Sequence, residues 1–171
     1  MSPRDRELAL GVAAGDGASI AAAYDLYAAG LYRLLFALLG SAADAEDALQ
    51  ELFVRLAAGR ARRVTDLKAY LFPAARNEAH SMLRRRRREA LFGIQLWGAG
   101  PAPVEHPADD DLLSLLKRLP AEQREVVALK VFEQMTFAEI AVVTKVSLNT
   151  AAARYRYAIR RLKTWSEEGT G

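Results

Sequence analysis

Apolar residues along this chain recur at helical spacing in almost every segment long enough to judge. Within residues 18–39 they fall at Ile20, Tyr24, Tyr27, Leu31, Leu34, Leu35 and Leu38, steps of three and four that gather on one face of an α-helix. Gly30 sits inside this pattern and is expected to loosen or break it. Gly40 and Ser41 end it, and Ser41 is placed to cap the next helix. Residues 42–58 read as a strong helix, with Ala48, Leu49, Leu52, Phe53 and Leu56 on one face. Asp44, Glu46, Asp47, Gln50 and Glu51 lie largely on the others. A short polar loop, 59–65, carries Arg60, Arg62 and Arg63. Asp66 then caps a third stretch, 67–92. Pro73 within it lacks a backbone donor, so a kink or split is expected near Phe72. Further on, Leu112, Leu113, Leu115, Leu116 and Leu119 supply a buried face, and the aspartates before Leu112 suit the positive end of a helix. Pro120 opens another helix at a first-turn position, continuing through Val126, Val127, Leu129, Val131 and Phe132. No alternating strand pattern and no internal repeat is visible, so the expected fold is all-α.

The last fifty residues carry the sharpest local signals. Thr136 followed by Glu139 is a capping box, which starts a helix at Phe137. Ile140, Ala141 and Val143 give that helix an apolar face; Ala141 is small where two helices approach, and Val146 is apolar where a turn packs inward. Ser147 is a good N-cap for the following helix, with Asn149 and Thr150 in its first turn. That helix carries Arg154, Arg156, Arg160, Arg161 and Lys163, with Tyr155 and Tyr157 interleaved. Helix pairs of this kind also serve purely structural packing. The cationic stripe with its tyrosines favours a helix-turn-helix reading a DNA major groove.

Charge and composition divide the chain. Three prolines, Pro101, Pro103 and Pro107, and several glycines lie between residues 93 and 107, the mark of a flexible, semi-extended linker. The expected organisation is two small helical domains, 4–92 and 109–167, joined by a linker at 93–108. The net charge of +3 is unevenly spread: residues 1–92 carry +3, residues 93–111 carry −4 and residues 112–171 carry +4. Two basic blocks flanking an acidic connector fit two nucleic-acid-facing modules. A hydrophobic fraction of 51% is enough for packed cores. There is no cysteine, which excludes disulfides, thiolate metal sites and cysteine nucleophiles. The charged N-terminal residues have no apolar core behind them, and apolar runs fall short of the ~20 residues that span a bilayer, so neither a signal peptide nor membrane insertion is expected and the location should be cytoplasmic.

The candidate chemistry is binding rather than catalysis. Arg84, Arg85, Arg86, Arg87 and Arg88 form a run that is either a solvated helix end or a phosphate contact; with only Glu89 nearby to pair with, phosphate is favoured. Asn77, His80, Ser81 and Arg84 share a flank of the same helix, where Asn can pair with adenine and Arg with guanine. The acidic helix around Asp44, Asp47, Gln50 and Glu51 would repel phosphate; its residues suit a solubilising surface or a docking face for a basic protein partner equally well. His80 and His106 are too far apart in sequence to suggest a metal site. No Gly-rich phosphate loop, metal-binding His-Glu pair or Ser-His-Asp set is present, and the clustered carboxylates lie on an apparently exposed helix. No enzymatic activity, cofactor or metal is expected.

Four segments taken in order carry a resemblance. They are Asp44-Ala-Glu-Asp-Ala-Leu-Gln-Glu-Leu-Phe-Val-Arg-Leu56, Ala69-Tyr-Leu-Phe-Pro-Ala-Ala-Arg-Asn77, Leu119-Pro-Ala-Glu-Gln-Arg-Glu-Val-Val-Ala-Leu129 and Phe137-Ala-Glu-Ile-Ala141. The series resembles a bacterial sigma factor of the extracytoplasmic-function type over nearly the whole chain. That resemblance implies a sigma-two domain followed by a sigma-four helix-turn-helix domain. It implies core RNA polymerase and promoter DNA as partners and, by analogy, an inhibitory anti-sigma factor. Asp44, Asp47, Gln50, Glu51 and Phe53 would then belong to the helix that grips the polymerase clamp, which resolves the acidic helix in favour of docking. Asn77, His80, Ser81, Arg84, Arg85, Arg87 and Arg88 would engage the minus-ten element. The loop 59–65 would capture a flipped base, and the linker would thread the RNA exit path. Ser147, Asn149, Thr150, Ala153, Arg154 and Tyr157 would face the minus-thirty-five element.

The chain departs from the family pattern at several points. Lys145 stands where a glycine is frequent in the turn, Ser81 where an aspartate is usual, Pro73 inside a helix commonly unbroken, and Ala151-Ala152-Ala153 where valine, lysine and serine are common. The rival reading is a conventional helix-turn-helix regulator that never joins polymerase. The acidic helix discriminates the two.

Overall fold

The structure, a computed structural model, describes residues 3–61, 63–93 and 115–168. Arg62, the expected linker beyond Gly93 and the expected helix start at 109–113 lie outside the described residues. The described residues contain helices and turns and no strand, as the periodicity predicts. The chain divides into two units, Met1–Ala102 and Pro103–Gly171.

The first unit is a four-helix arrangement around α2. Helix α1 (Pro3–Ala13) was not foreseen: its buried side chains include Ala9 and Val12, small residues that leave little mark in a hydrophobic pattern. It approaches α2 (Gly17–Leu39) closely, and a Cβ added to Gly11 would lie 2.0 Å from Ser19 Oγ. Asp16 caps α2, its carboxylate accepting from the Ser19 backbone N–H at 2.8 Å and from Ser19 Oγ at 2.6 Å. Contrary to expectation, Gly30 does not interrupt α2; it is buried within it. Leu31, Leu34, Leu35 and Leu38 are buried, and α2 packs against α1, α3 and α4. By length and composition alone α2 could cross a membrane, a property that the reading of the apolar runs missed. Its buried leucines face the other helices, as in the core helix of a bundle.

Gly40, at φ 69, ends α2 with its N–H donating to Phe36 O at 2.8 Å. Ser41 caps α3 (Ala42–Arg55), which continues into a wide turn, Leu56–Arg60, closed by Gly59 at φ 83. Glycine, with no Cβ, reaches that left-handed conformation at no steric cost. Asp66 caps α4 (Leu67–Leu91), accepting from the Ala69 N–H at 2.9 Å. The expected split at Pro73 does not occur, and α4 runs on through it. Leu71, Phe72 and Ala75 around the proline are completely buried, so packing holds the helix together. Ala69, whose carbonyl loses its donor to the proline, is exposed to water.

Among the described residues, the second unit opens with a helical turn at residues 115–117, whose Leu116 is buried together with Leu119. Pro120 precedes α5 (Ala121–Val127) as its N-cap rather than its first residue, and a wide turn, Ala128–Phe132, follows. Helix α6 (Phe137–Thr144) starts at the capping box: Thr136 Oγ1 accepts from the Glu139 N–H at 3.2 Å, and Glu139 Oε2 accepts from the Thr136 N–H at 2.7 Å. It ends at Lys145, which takes the left-handed conformation (φ 57, ψ 42) that the turn demands. Helix α7 (Leu148–Glu168) packs on α5 and α6 through Ala151 and Ala158, both fully buried.

Candidate nucleic-acid interface

On α3 the apolar stripe goes into the core and leaves a second stripe outside. Asp47, Gln50, Glu51 and Val54 are exposed at i, i+3, i+4 and i+7, followed by exposed Ala57 and Ala58. Val54, 57% exposed, places an apolar side chain in the middle of this face, and it was not among the expected site residues. Arg55 ties the stripe to α4: Nε donates to Glu51 Oε1 and Nη1 to Glu78 Oε2, each at 2.7 Å.

Two of the residues expected on the docking face sit elsewhere. Phe53 is buried, its ring edge-on to Tyr24 at 4.9 Å, so its part in any docking surface is to support α3 from beneath. Asp44 is turned to the junction of α3 and α4, where it pairs with Arg86. Partial burial pushes its carboxyl up, but hydrogen bonds from Arg86 and Ser41 and the charge of Arg86 outweigh this and hold it below its usual value.

The same contact sorts the arginine run on α4. Arg86 faces α3 and Asp44, while Arg85 approaches Glu89 at 4.0 Å. Arg84, Arg87 and Arg88 are exposed and make no ion pair among the described residues. Asn77, Ser81, Arg84 and Arg88 are all exposed and fall at i, i+4, i+7 and i+11, which makes one continuous stripe. His80, at i+3 from Asn77, lies at the edge of this stripe and is half-buried.

In the second unit, the turn between α6 and α7 is set by hydrogen bonds. Ser147 Oγ accepts from the Thr150 N–H at 3.1 Å and lies 2.8 Å from Thr150 Oγ1, so both side chains are engaged in capping α7. Arg154 Nη2 reaches Glu122 Oε2 on α5 at 3.0 Å. Asn149 and Tyr157 are exposed, and Ala153 is half-buried. Arg156, Arg160 and Lys163 extend the Asn149–Ala153 face at seven, eleven and fourteen residues from Asn149. Their spacing was legible in the sequence, yet Arg156 and Arg160 were left out of the expected contacts. Beneath this face, the rings of Phe137 and Tyr155 meet at 5.6 Å, Lys130 Nζ lies 4.9 Å over Phe137, and Arg118 lies 4.4 Å over Trp165. These contacts fix α7 against the rest of the unit.

One unit therefore carries an anionic helix face beside a cationic one, and the other a capped helix-turn-helix with a cationic second helix. Residues 23–89 match the family model for sigma-70 region 2, and residues 109–162 match that for sigma-70 region 4. The chain is 32% identical over 169 residues to the ECF RNA polymerase sigma factor SigL of Mycobacterium tuberculosis, covering 92% of this chain and 94% of that protein. It is 28% identical over 167 residues to the ECF RNA polymerase sigma factor SigK of Mycolicibacterium vanbaalenii, covering 89% and 84%. Among solved structures it is similar to the sigma factor RpoE of Bartonella quintana, solved with the anti-sigma factor NepR, with a TM-score of 0.68 and 25% identity over 84% of this chain and 94% of that one. The fold is likewise that of CnrH, solved with the cytosolic domain of CnrY, with a TM-score of 0.68 and 23% identity over 96% and 97%. The chain belongs to the extracytoplasmic-function sigma factors of the sigma-70 family. It is a promoter-directing subunit of RNA polymerase, and the rival reading as a conventional regulator leaves the region 2 match unexplained.

Proposed function

We propose that the two units divide the work of promoter recognition. The exposed α3 stripe, Asp47, Gln50, Glu51 and Val54, docks on the core polymerase. The α4 stripe, Asn77, Ser81, Arg84 and Arg88, with Arg85 and Arg87 at its margins, engages the minus-ten element and holds it during melting. Helix α7 lies in the major groove of the minus-thirty-five element, with Asn149 and Ala153 leading and Arg156 and Arg160 on phosphate. The domain limits remain 4–92 and 109–167, with the linker between them. The protein acts in the cytoplasm by binding alone, with no covalent step. An anti-sigma factor is a further partner, supported by the similar sigma factor RpoE, whose structure holds one.

The observation that carries this reading is the segregation of charge on neighbouring helices of the first unit. The Asp47 and Glu51 carboxylates of α3 and the Arg84, Arg87 and Arg88 guanidinium groups of α4 are exposed on different helices, so one small bundle can hold protein and nucleic acid at once. The double variant Asp47→Lys with Glu51→Lys tests it. It should fail to co-migrate with core polymerase at modest ionic strength. The triple variant Arg84→Ala, Arg87→Ala and Arg88→Ala should co-migrate normally yet bind promoter DNA weakly. Retention of polymerase by the first variant would refute the assignment.

A further inference from the structure

We infer that Glu122 is a positioning residue for upstream-element binding: it holds the Arg154 guanidinium on α5 until a DNA phosphate displaces it. The inference rests on the assignment of α7 to the minus-thirty-five element and adds to it a residue of another helix. Arg154 Nη2 lies 3.0 Å from Oε2 of Glu122, in the first turn of α5. The pair is lopsided. The Arg154 side chain is 22% exposed and lies against the unit, whereas the Glu122 side chain is 70% exposed.

The position of Arg154 on α7 decides which group of the DNA it meets. It follows the fully buried Ala151 by three residues and Asn149 by five. At 3.6 residues per turn it lies about 60° from the packed side of α7 and about 140° from Asn149. Arg154 therefore occupies a flank, which it shares with Tyr157 and Arg161, three and seven residues further on and both exposed. In a helix laid in the major groove, the leading face meets base edges and a flank meets the sugar-phosphate wall. The group within reach of Arg154 is a phosphate rather than a base.

Glu122 and that phosphate compete for one guanidinium. The planar fork of arginine bonds carboxylate and phosphate alike, and an exposed ion pair adds little to folding, so one oxyanion readily replaces the other. After the exchange Glu122 stays in water, and no unpaired charge is stranded inside the unit. Before it, Glu122 cancels the Arg154 charge and repels any phosphate that nears α5 in the wrong register. Glu122 thus weakens binding to DNA generally, and weakens it least where the upstream element seats α7 correctly. The product is discrimination rather than affinity.

The test uses the full chain reconstituted with core polymerase and two promoter duplexes that differ only in the minus-thirty-five element, one cognate and one substituted. Glu122→Gln should raise affinity for the substituted promoter by about threefold, the usual strength of an exposed ion pair, and leave the cognate one nearly unchanged. Arg154→Ala should lower the slope of log affinity against log salt on the cognate promoter by about 0.9, the mark of one lost phosphate contact. Arg154→Lys keeps the charge and should restore the slope, which a merely structural pair would not move. In the Arg154→Ala background, Glu122→Gln should change discrimination no further. An unchanged slope in Arg154→Ala would mean that Arg154 stays on Glu122 in the complex, and the proposal would be overturned. Equal gains from Glu122→Gln on both promoters would overturn it too, since they mark a general surface charge. If the native holoenzyme binds both promoters equally, the α7 assignment itself falls, and this inference with it.

Discussion

Asp44 lies within the acidic segment of α3, yet its carboxylate faces Arg86 rather than the solvent stripe. Its folded value is depressed, so it stabilises the fold fully at pH above the ordinary aspartate range and loses that contribution as pH falls through the lowered value. Asp44→Asn should therefore destabilise the first unit at neutral pH, by about 1 kcal/mol given that the Arg86 guanidinium is half-exposed. The gap to the native chain should close in acid. Urea unfolding at neutral pH and at a pH below the ordinary aspartate value measures both, and a pH-independent gap would contradict the ion pair. Gly11 presents a steric case. Its missing side chain admits Ser19 at a distance no Cβ tolerates, so Gly11→Ala should cost about 1–3 kcal/mol as α1 is pushed off α2, seen as a lowered unfolding midpoint. Lys145 is the converse. Glycine there should stabilise the second unit by about 0.5–1 kcal/mol, because a lysine at φ 57 carries a strain that glycine lacks.

At the scale of helices, the caps were the most legible features. Asp66, the Thr136–Glu139 box and Ser147 all bond within three residues of themselves, so their geometry is written in local sequence. Of the kink or split expected at Pro73, the split does not occur, because tertiary burial of Leu71, Phe72 and Ala75 overrides a local penalty. Helix α1 went unseen because alanine and valine bury little apolar area, and the wide turn after α3 because nothing in the pattern marks a wider helical ring. The arginine run shows where spacing alone stops. Which of five adjacent arginines turns toward α3 depends on Asp44, a residue remote in sequence. This yields a prediction for α4 as an element. Alanine at Arg84, Arg87 or Arg88 should each reduce the slope of log affinity against log salt by about 0.9 if a duplex phosphate contact is lost. Alanine at Arg86 should leave that slope unchanged while lowering stability. A slope change at Arg86 equal to the others would mean that it leaves Asp44 to contact DNA.

For the whole molecule, the division into two helical units was readable from charge blocks and the proline-rich interval, and the family from four short motifs in order. The proposed docking face was readable only in part. Asp47, Gln50 and Glu51 do share an exposed stripe, but Val54 within it is visible only once α3 has been packed on its neighbours. The proposed upstream reader was similarly mixed, since Ser147, Thr150 and Arg154 have partners inside the unit while Asn149 stays exposed. Asn149→Ala should therefore weaken preference for one base pair of the upstream element by about 1–3 kcal/mol, checked by competition among singly substituted promoters. All these assignments presuppose that the chain brings core polymerase to chosen start sites through the α3 stripe. Mapping of transcript 5′ ends, made on genomic DNA by core polymerase with the native chain or with the Asp47→Lys and Glu51→Lys variant, tests this most directly. The account predicts a small set of discrete start sites sharing two upstream elements with the native chain, and their disappearance with the variant. Identical start sites with both proteins, or none with either, would contradict it.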